Sequence, residues 1–349
     1  MYIIKLFIIK YNKKIIINLL LIVSSVLISL IIVELLMSII YPNYNPANQL
    51  PYYNNEDGVH LGAKNFIGRQ WDNTGDFNVS IKINKYGFRD LKDISGSTAR
   101  DIFVVGDSFS FGFGVEENIR YSNILENLTG LKVYNISIPG DFDDYDNLIK
   151  YAIKNGAIIK NLIIGVCMEN DLVDYSQTIK YKNVQPSMIM RVRNYLGNHS
   201  TTYNYIQVQC HLIDSVASFL KWIGLMNKNF KLMSGNLNIS ELSENYDFEN
   251  IINESAKRLN LIAKKYENTI VLIIPSRGLW VGTNKNRERN IHYQFINKLK
   301  IYDLNIIDML EHFEAGGNPL SYYFPNNGHW NEHGHQKVSE VLFQTSLNK

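Results

Sequence analysis

The chain has 349 residues, of which 46% are hydrophobic, and 35 Lys and Arg stand against 33 Asp and Glu for a formal net charge of +2. That length buries a sizeable core in one large or two small domains, and the near-neutral balance, with no basic stripe interleaved with aromatics, argues against nucleic acid as a partner. Cys167 and Cys210 are the only cysteines; they have no C-x-x-C or metal-ligand spacing, and with Cys167 in a predicted buried strand they read as two structural thiols, a disulfide between them being the alternative in an exported protein.

In chain order, residues 1–14 carry Lys5, Lys10, Lys13 and Lys14, and Ile15 to Ile40 is apolar with Glu34 its only charge. As a helix those residues span roughly 39 Å, enough to cross a hydrocarbon core of about 30 Å with tilt. A cleaved signal peptide has a shorter apolar core and ends in a small-x-small site; no such site stands near Ser38 to Pro46. The reading is a cytoplasmic basic segment (1–14) and an uncleaved transmembrane signal anchor (15–41), with the remainder on the periplasmic or extracytoplasmic side.

Residues 42–100 form a linker rich in Pro, Asn and Tyr and then a small β-rich lead-in packed against the main domain. Phe77 to Asn84 alternates as a strand does, and a turn follows at Tyr86-Gly-Phe-Arg89. Polar residues 91–100 mark a boundary. From Asp101 the pattern is strand 101–106, helix near 118–129, strand 131–136, helix near 143–155 and strand 161–166. It resumes with helix 251–266, strand 269–274, helix 287–299, strand 304–307 and helix 335–347. Strands alternating with helices of this length predict βαβ units and a parallel sheet covered on both faces. An insertion at about 176–240 interrupts them. Its amphipathic stretch Tyr203 to Leu225, with Trp222, Met188, Met190 and Met226, predicts a helical subdomain with its own small core; a lid or a membrane-surface contact is the alternative.

Four short blocks fall at predicted carboxyl ends of strands or before the last helix, where α/β folds place ligands. They are Gly106-Asp-Ser108, Asn135-Ile-Ser-Ile-Pro-Gly140, Gly165-Val-Cys-Met-Glu-Asn170-Asp, and Phe324-Pro-Asn-Asn-Gly-His329-Trp. Each alone is weak: a Ser after a strand caps helices, and an Asn at a strand end is ordinarily a turn residue. Together and in this order they resemble the SGNH (GDSL-type) hydrolase superfamily, closely over about 101–175 and 320–345. Ile83 to Arg89 and Gly106 to Val115 look like a membrane-anchored bacterial subgroup that includes exported esterases and relatives of polysaccharide O-acetyltransferases.

The resemblance implies a flavodoxin-like three-layer α/β/α sandwich over 101–349, and it implies roles. Ser108 is the nucleophile and His329 its general base. The oxyanion donors are the backbone N–H groups of Ser108 and Gly140 and the side-chain amide of Asn170. The expected substrate is a short acyl ester of carbohydrate. O-acetyl transfer to an exported polysaccharide, or a catalytically inactive glycan-binding or assembly protein, stand as alternatives. No cofactor or metal is implied. One departure stands out: where the family has an Asp two or three residues before the His, this chain has Asn327 and Asn326. The imidazole is then held by an amide or carbonyl, or by a remote acid such as Glu332, Asp174 or Asp308, or else the enzyme is slow. Other chemistries fit less well. Ser110 breaks a G-x-S-x-G elbow, Gly112-Phe-Gly114 lacks the third Gly of a dinucleotide fingerprint, and His329, His333 and His335 form no H-E-x-x-H.

Overall fold

A computed structural model describes residues 2–72, 74–172, 175, 188–222, 247–281 and 284–347. They divide into two units, one of residues 1–48 with 186–209, the other of 49–185 with 210–349.

In the first unit a single helix, α1 (Tyr2–Ile40), takes in the basic segment as well as the apolar one. Within its stretch Lys14–Ile40 an 18-residue window has a mean hydropathy of 2.9, with none of that window buried by protein. A helix apolar on every side needs an apolar surrounding. Glu34 is not left bare: its carboxylate accepts hydrogen bonds from the Thr201 backbone N–H (2.6 Å), the Ser200 hydroxyl (2.8 Å) and the Thr202 N–H (3.2 Å).

Those donors belong to the insertion. Within 188–222 the chain is helical, as anticipated, at Met188–His199, Thr201–Leu212 and Asp214–Trp222. Residues from Met188 to Gln209 group with the N-terminal helix, and Met188 and Trp222 are exposed at 82% and 75%. The stretch 203–225 is also broken, at Ile213, between two helices. Residues 176–187 and 223–240, Met226 among them, and the Met190 side chain lie outside the described part.

The second unit is built on five parallel strands, β5 (Ile102–Gly106), β6 (Val133–Asn135), β7 (Asn161–Cys167), β8 (Asn268–Ile274) and β9 (Asn305–Asp308), in the spatial order β6-β5-β7-β8-β9. This is the 2-1-3-4-5 order of flavodoxin-like sheets, whose switch point lies beside the first strand. The helices come where the sequence put them, at Tyr121–Thr129, Phe142–Lys154, Phe248–Ala263, Lys285–Ile301 and Glu332–Leu347. Side-chain alternation divides the sheet cleanly. Phe103, Val105, Leu162, Ile164, Val271 and Ile273 enter one core, and Val104, Ile163, Leu272 and Ile274 enter the other.

The lead-in is not a separate piece. Two antiparallel hairpins, β1 (Tyr52–Asn54) with β2 (His60–Gly62) and β3 (Ile67–Trp71) with β4 (Asn78–Lys82), precede the sheet. Leu61, Ile81, Ile83 and Phe88 are buried in the same core as Phe103 and Val105. Apolar residues on both sides of the polar run 91–100 share one interior.

Candidate active site

Ser108 opens a four-residue helix, α2 (Ser108–Phe111), directly at the end of β5. Asp107 is its N-cap, accepting from the Phe109 N–H at 3.0 Å. So tight a strand-to-helix turn needs glycine beneath it. A Cβ on Gly106 would lie 2.5 Å from the Ser110 Oγ and 2.8 Å from the Gly165 carbonyl, leaving no room for any larger residue. Gly112 closes the helix with φ +81°, in the left-handed region that glycine alone enters freely.

Two buried arginines hold the loop that follows. Arg89 donates to the carbonyls of Gly112 (2.5 Å) and Val115 (2.6 Å), and Arg120 donates to the Arg89 carbonyl at 2.7 Å. Carbonyls turned inward at a tight loop must be satisfied, and these guanidinium groups do it. Arg89 ends the Tyr86–Arg89 turn that the sequence singled out; nothing local to the sequence marked the role of either arginine.

His329 lies in the loop between a short 3-10 turn (Pro319–Tyr322) and the last helix (Glu332–Leu347). Its Nε2 is 2.8 Å from the Ser108 Oγ. Phe113 stacks on the ring with centroids 4.3 Å apart and Phe109 lies tilted at 5.1 Å. Burial pushes the imidazole pKa down to about 3, and the nearby Arg277 guanidinium adds to the shift. At neutral pH the ring is therefore uncharged and able to accept a proton.

The residue that holds this ring is an amide. The His329 Nδ1 stands 2.6 Å from the Asn327 Oδ1, which also accepts the His329 backbone N–H at 3.1 Å. On its other side the Asn327 amide donates to the Asp72 carboxylate at 2.9 Å. The amide orientation is fixed from both ends: acceptor toward the ring, donor toward the carboxylate. A carbonyl oxygen can only accept, so Nδ1 carries the ring proton and Nε2 faces the serine unprotonated. Asp76 grips the same loop, accepting from the backbone N–H groups of Asn326 and Asn327, both at 2.7 Å, and from the Asn326 amide at 3.0 Å.

The remote acids named from sequence are placed otherwise. Asp308 pairs with His292 at 2.8 Å, Glu332 is exposed at the start of the last helix, and Asp174 lies outside the described residues. Asp72 and Asp76 come instead from the turn between β3 and β4, some 250 positions before His329 in the chain. No local spacing signals such a pairing.

Gly140 and Asn170 fall at the carboxyl ends of β6 and β7, the two strands that flank β5. Gly140 directly precedes Asp141, the N-cap of the helix Phe142–Lys154, whose capping box is completed by Asp144. A Cβ on Gly140 would lie 2.5 Å from that Asp144 carboxylate, so the capping box crowds out a larger residue here. Asn170 ends the turn after β7, its N–H reaching the Cys167 carbonyl at 3.4 Å. Ser108 and His329 thus meet in a hydrogen bond, and Gly140 and Asn170 stand on either side of the strand that delivers the serine. Cys167 and Cys210 are both free thiols, Cys167 buried and Cys210 half-buried. Among the described residues no cluster of His, Cys, Asp or Glu has the makings of a metal site.

No family model matches the sequence, and no curated protein does. Solved structures similar to the chain include a member of the lipolytic G-D-S-L family from Veillonella parvula, 11% identical, covering 70% of this chain and 96% of that one with a TM-score of 0.40. Another is a lipase/acylhydrolase from Enterococcus faecalis, 10% identical, covering 70% and 94% with a TM-score of 0.39. A third is a catalytic mutant of an acetylxylan esterase from Geobacillus stearothermophilus, 11% identical, covering 71% and 94% with a TM-score of 0.38.

Proposed function

We propose that the chain is a serine-dependent acyl-ester hydrolase, and the observation that carries this is the 2.8 Å approach of Ser108 Oγ to a neutral His329 Nε2. Ser108 Oγ attacks the ester carbonyl carbon as its proton passes to Nε2. The tetrahedral oxyanion then lies between the Ser108 and Gly140 N–H groups and the Asn170 amide. Collapse expels the alkoxide, which takes the proton from the imidazolium. Water, deprotonated in turn by Nε2, releases the carboxylic acid and restores the serine.

The sequence resemblance points to short acyl esters of carbohydrate as substrate. The 27-residue apolar helix Lys14–Ile40 supports a membrane anchor, and the lysines before it support a cytoplasmic N-terminus with the catalytic unit on the extracytoplasmic side.

A fluorophosphonate probe together with p-nitrophenyl acetate tests the activity. The expected result is labelling confined to Ser108 and hydrolysis that disappears in Ser108→Ala. Acetylated sugar formed on adding oligosaccharide would replace hydrolysis by transfer, and a wild-type chain that neither labels nor hydrolyses would sink the enzyme reading.

A further inference from the structure

We propose that Asp72 is a positioning residue for this reaction, supplying through the Asn327 amide the negative charge that the His329 block itself lacks. The proposal rests on the reading of Ser108 and His329 as an acyl-transfer pair. When Nε2 takes the serine proton the ring becomes a cation, and it does so in a setting that opposes one: half-buried, packed against Phe109 and Phe113 and near Arg277. An amide alone orients the ring but brings no charge to offset it. The carboxylate of Asp72, 2.9 Å from the Asn327 Nδ2, draws electron density through the amide onto Oδ1, the atom 2.6 Å from Nδ1. The order serine, imidazole, amide, carboxylate thus does in four members what a serine, imidazole and carboxylate do in three.

Asp72 is itself well placed for this. Its carboxylate also accepts from the Thr74 N–H at 2.9 Å and from the Thr74 hydroxyl, and its backbone N–H reaches the Phe77 carbonyl at 3.1 Å, closing the β3–β4 turn. Asp76, in the same turn, holds the backbone on the Asn326–Asn327 side. The hairpin therefore fixes both the loop and the charge behind it.

The test is a charge swap in the full-length protein. Asp72→Asn removes the charge and keeps one acceptor oxygen, for Thr74 or for the Asn327 amide. The expected result is a fall in kcat of about 10- to 100-fold, less than the roughly 10⁴-fold that follows loss of a carboxylate bound directly to the imidazole, with KM little changed. The acid limb of kcat/KM should move to lower pH, because the imidazolium loses its counter-charge. Adding Asn327→Asp to Asp72→Asn puts the carboxylate next to the ring and the amide behind it. That double variant should recover most of the lost kcat and carry the acid limb above its wild-type position. An Asp72→Asn chain that keeps wild-type kcat and pH profile overturns the role of Asp72 while leaving the hydrolase reading intact. So does a double variant that stays as slow as the single. Should Asp72→Asn not fold, the double variant decides alone. A wild-type chain with no fluorophosphonate labelling sinks both readings together.

Discussion

Glu169 and Arg277 form a buried ion pair that ties two parts of the candidate site together. The Arg277 Nε donates to the Glu169 Oε2 at 3.0 Å and its Nη2 to the other carboxylate oxygen, with side-chain exposures of only 5% and 10%. Glu169 precedes Asn170, and the guanidinium packs against Gly328, which precedes His329. Breaking such a pair leaves an uncompensated buried charge, at a cost of about 3–5 kcal/mol. Arg277→Ala should therefore lower Tm by on the order of 10 °C and weaken catalysis with it. Gly328→Ala should do the same for a steric reason, since its Cβ would occupy the guanidinium's place. Differential scanning calorimetry of the two variants checks both.

In the proposed reaction Ser108 and His329 act as a unit, so their removal should not be additive. Ser108→Ala is expected to cost about 10⁶ in kcat, and adding His329→Ala should change the residual rate by less than about tenfold. Single-turnover hydrolysis of an activated ester measures this. A double variant far slower than Ser108→Ala would show that His329 has a second task.

In the proposed reaction Asn170→Ala removes one oxyanion donor, and it should lower kcat about 10²- to 10³-fold with little effect on KM. Steady-state kinetics with circular dichroism as a folding control decides it. A change confined to KM would place Asn170 in substrate binding instead.

The pH dependence follows from His329. Its pKa is lowered to about 3 by burial, so the base form persists well below the ordinary imidazole value of about 6.5. The acid limb of kcat/KM should accordingly lie below pH 6.5. Stability has the same sign. His335, buried and also lowered to about 3, accepts the Tyr121 N–H at 3.3 Å on its neutral Nδ1. The unfolded chain binds protons at these sites from about pH 6.5 downward while the folded one does not, so folding stability should fall as pH drops from about 6.5 towards 3. His335→Gln should flatten part of that slope in urea unfolding measured across the range.

Within the N-terminal unit, Glu34 occupies the N-terminus of the helix Thr201–Leu212, where a carboxylate satisfies free N–H groups. Capping of this kind contributes about 1–2 kcal/mol. Glu34→Ala should raise hydrogen exchange at the amides of Thr201 and Thr202 by about tenfold and speed proteolysis between 188 and 209 in proteoliposomes. Retention in the membrane fraction should be unchanged, because Ile15 to Val33 keep their apolar character. Unaltered exchange at Thr201 would rule out the cap.

Much of the architecture could be read directly from the residues. Apolar runs such as Ile102–Val105 and Leu162–Val166 are buried on both faces and so declare a parallel sheet, and their carboxyl ends bring Ser108, Gly140 and Asn170 to one edge. The apolar length of 15–40 likewise stands out on its own, since it depends on composition alone. What local pattern could not show is every contact that joins distant segments. Nothing near Asn327 tells that Asp72 stands behind it, nothing near Glu34 that Ser200 and Thr201 meet it, and nothing in 188–209 that those helices group with the N-terminal one. Such pairings are chosen by how whole elements pack, and a polar side chain in a loop carries no periodicity to announce its partner. The sequence by itself determined where Ser108, Gly140, Asn170 and His329 fall relative to the strands and the last helix; only the tertiary structure decided what holds the imidazole, because an amide backed by a carboxylate is assembled from segments about 250 positions apart.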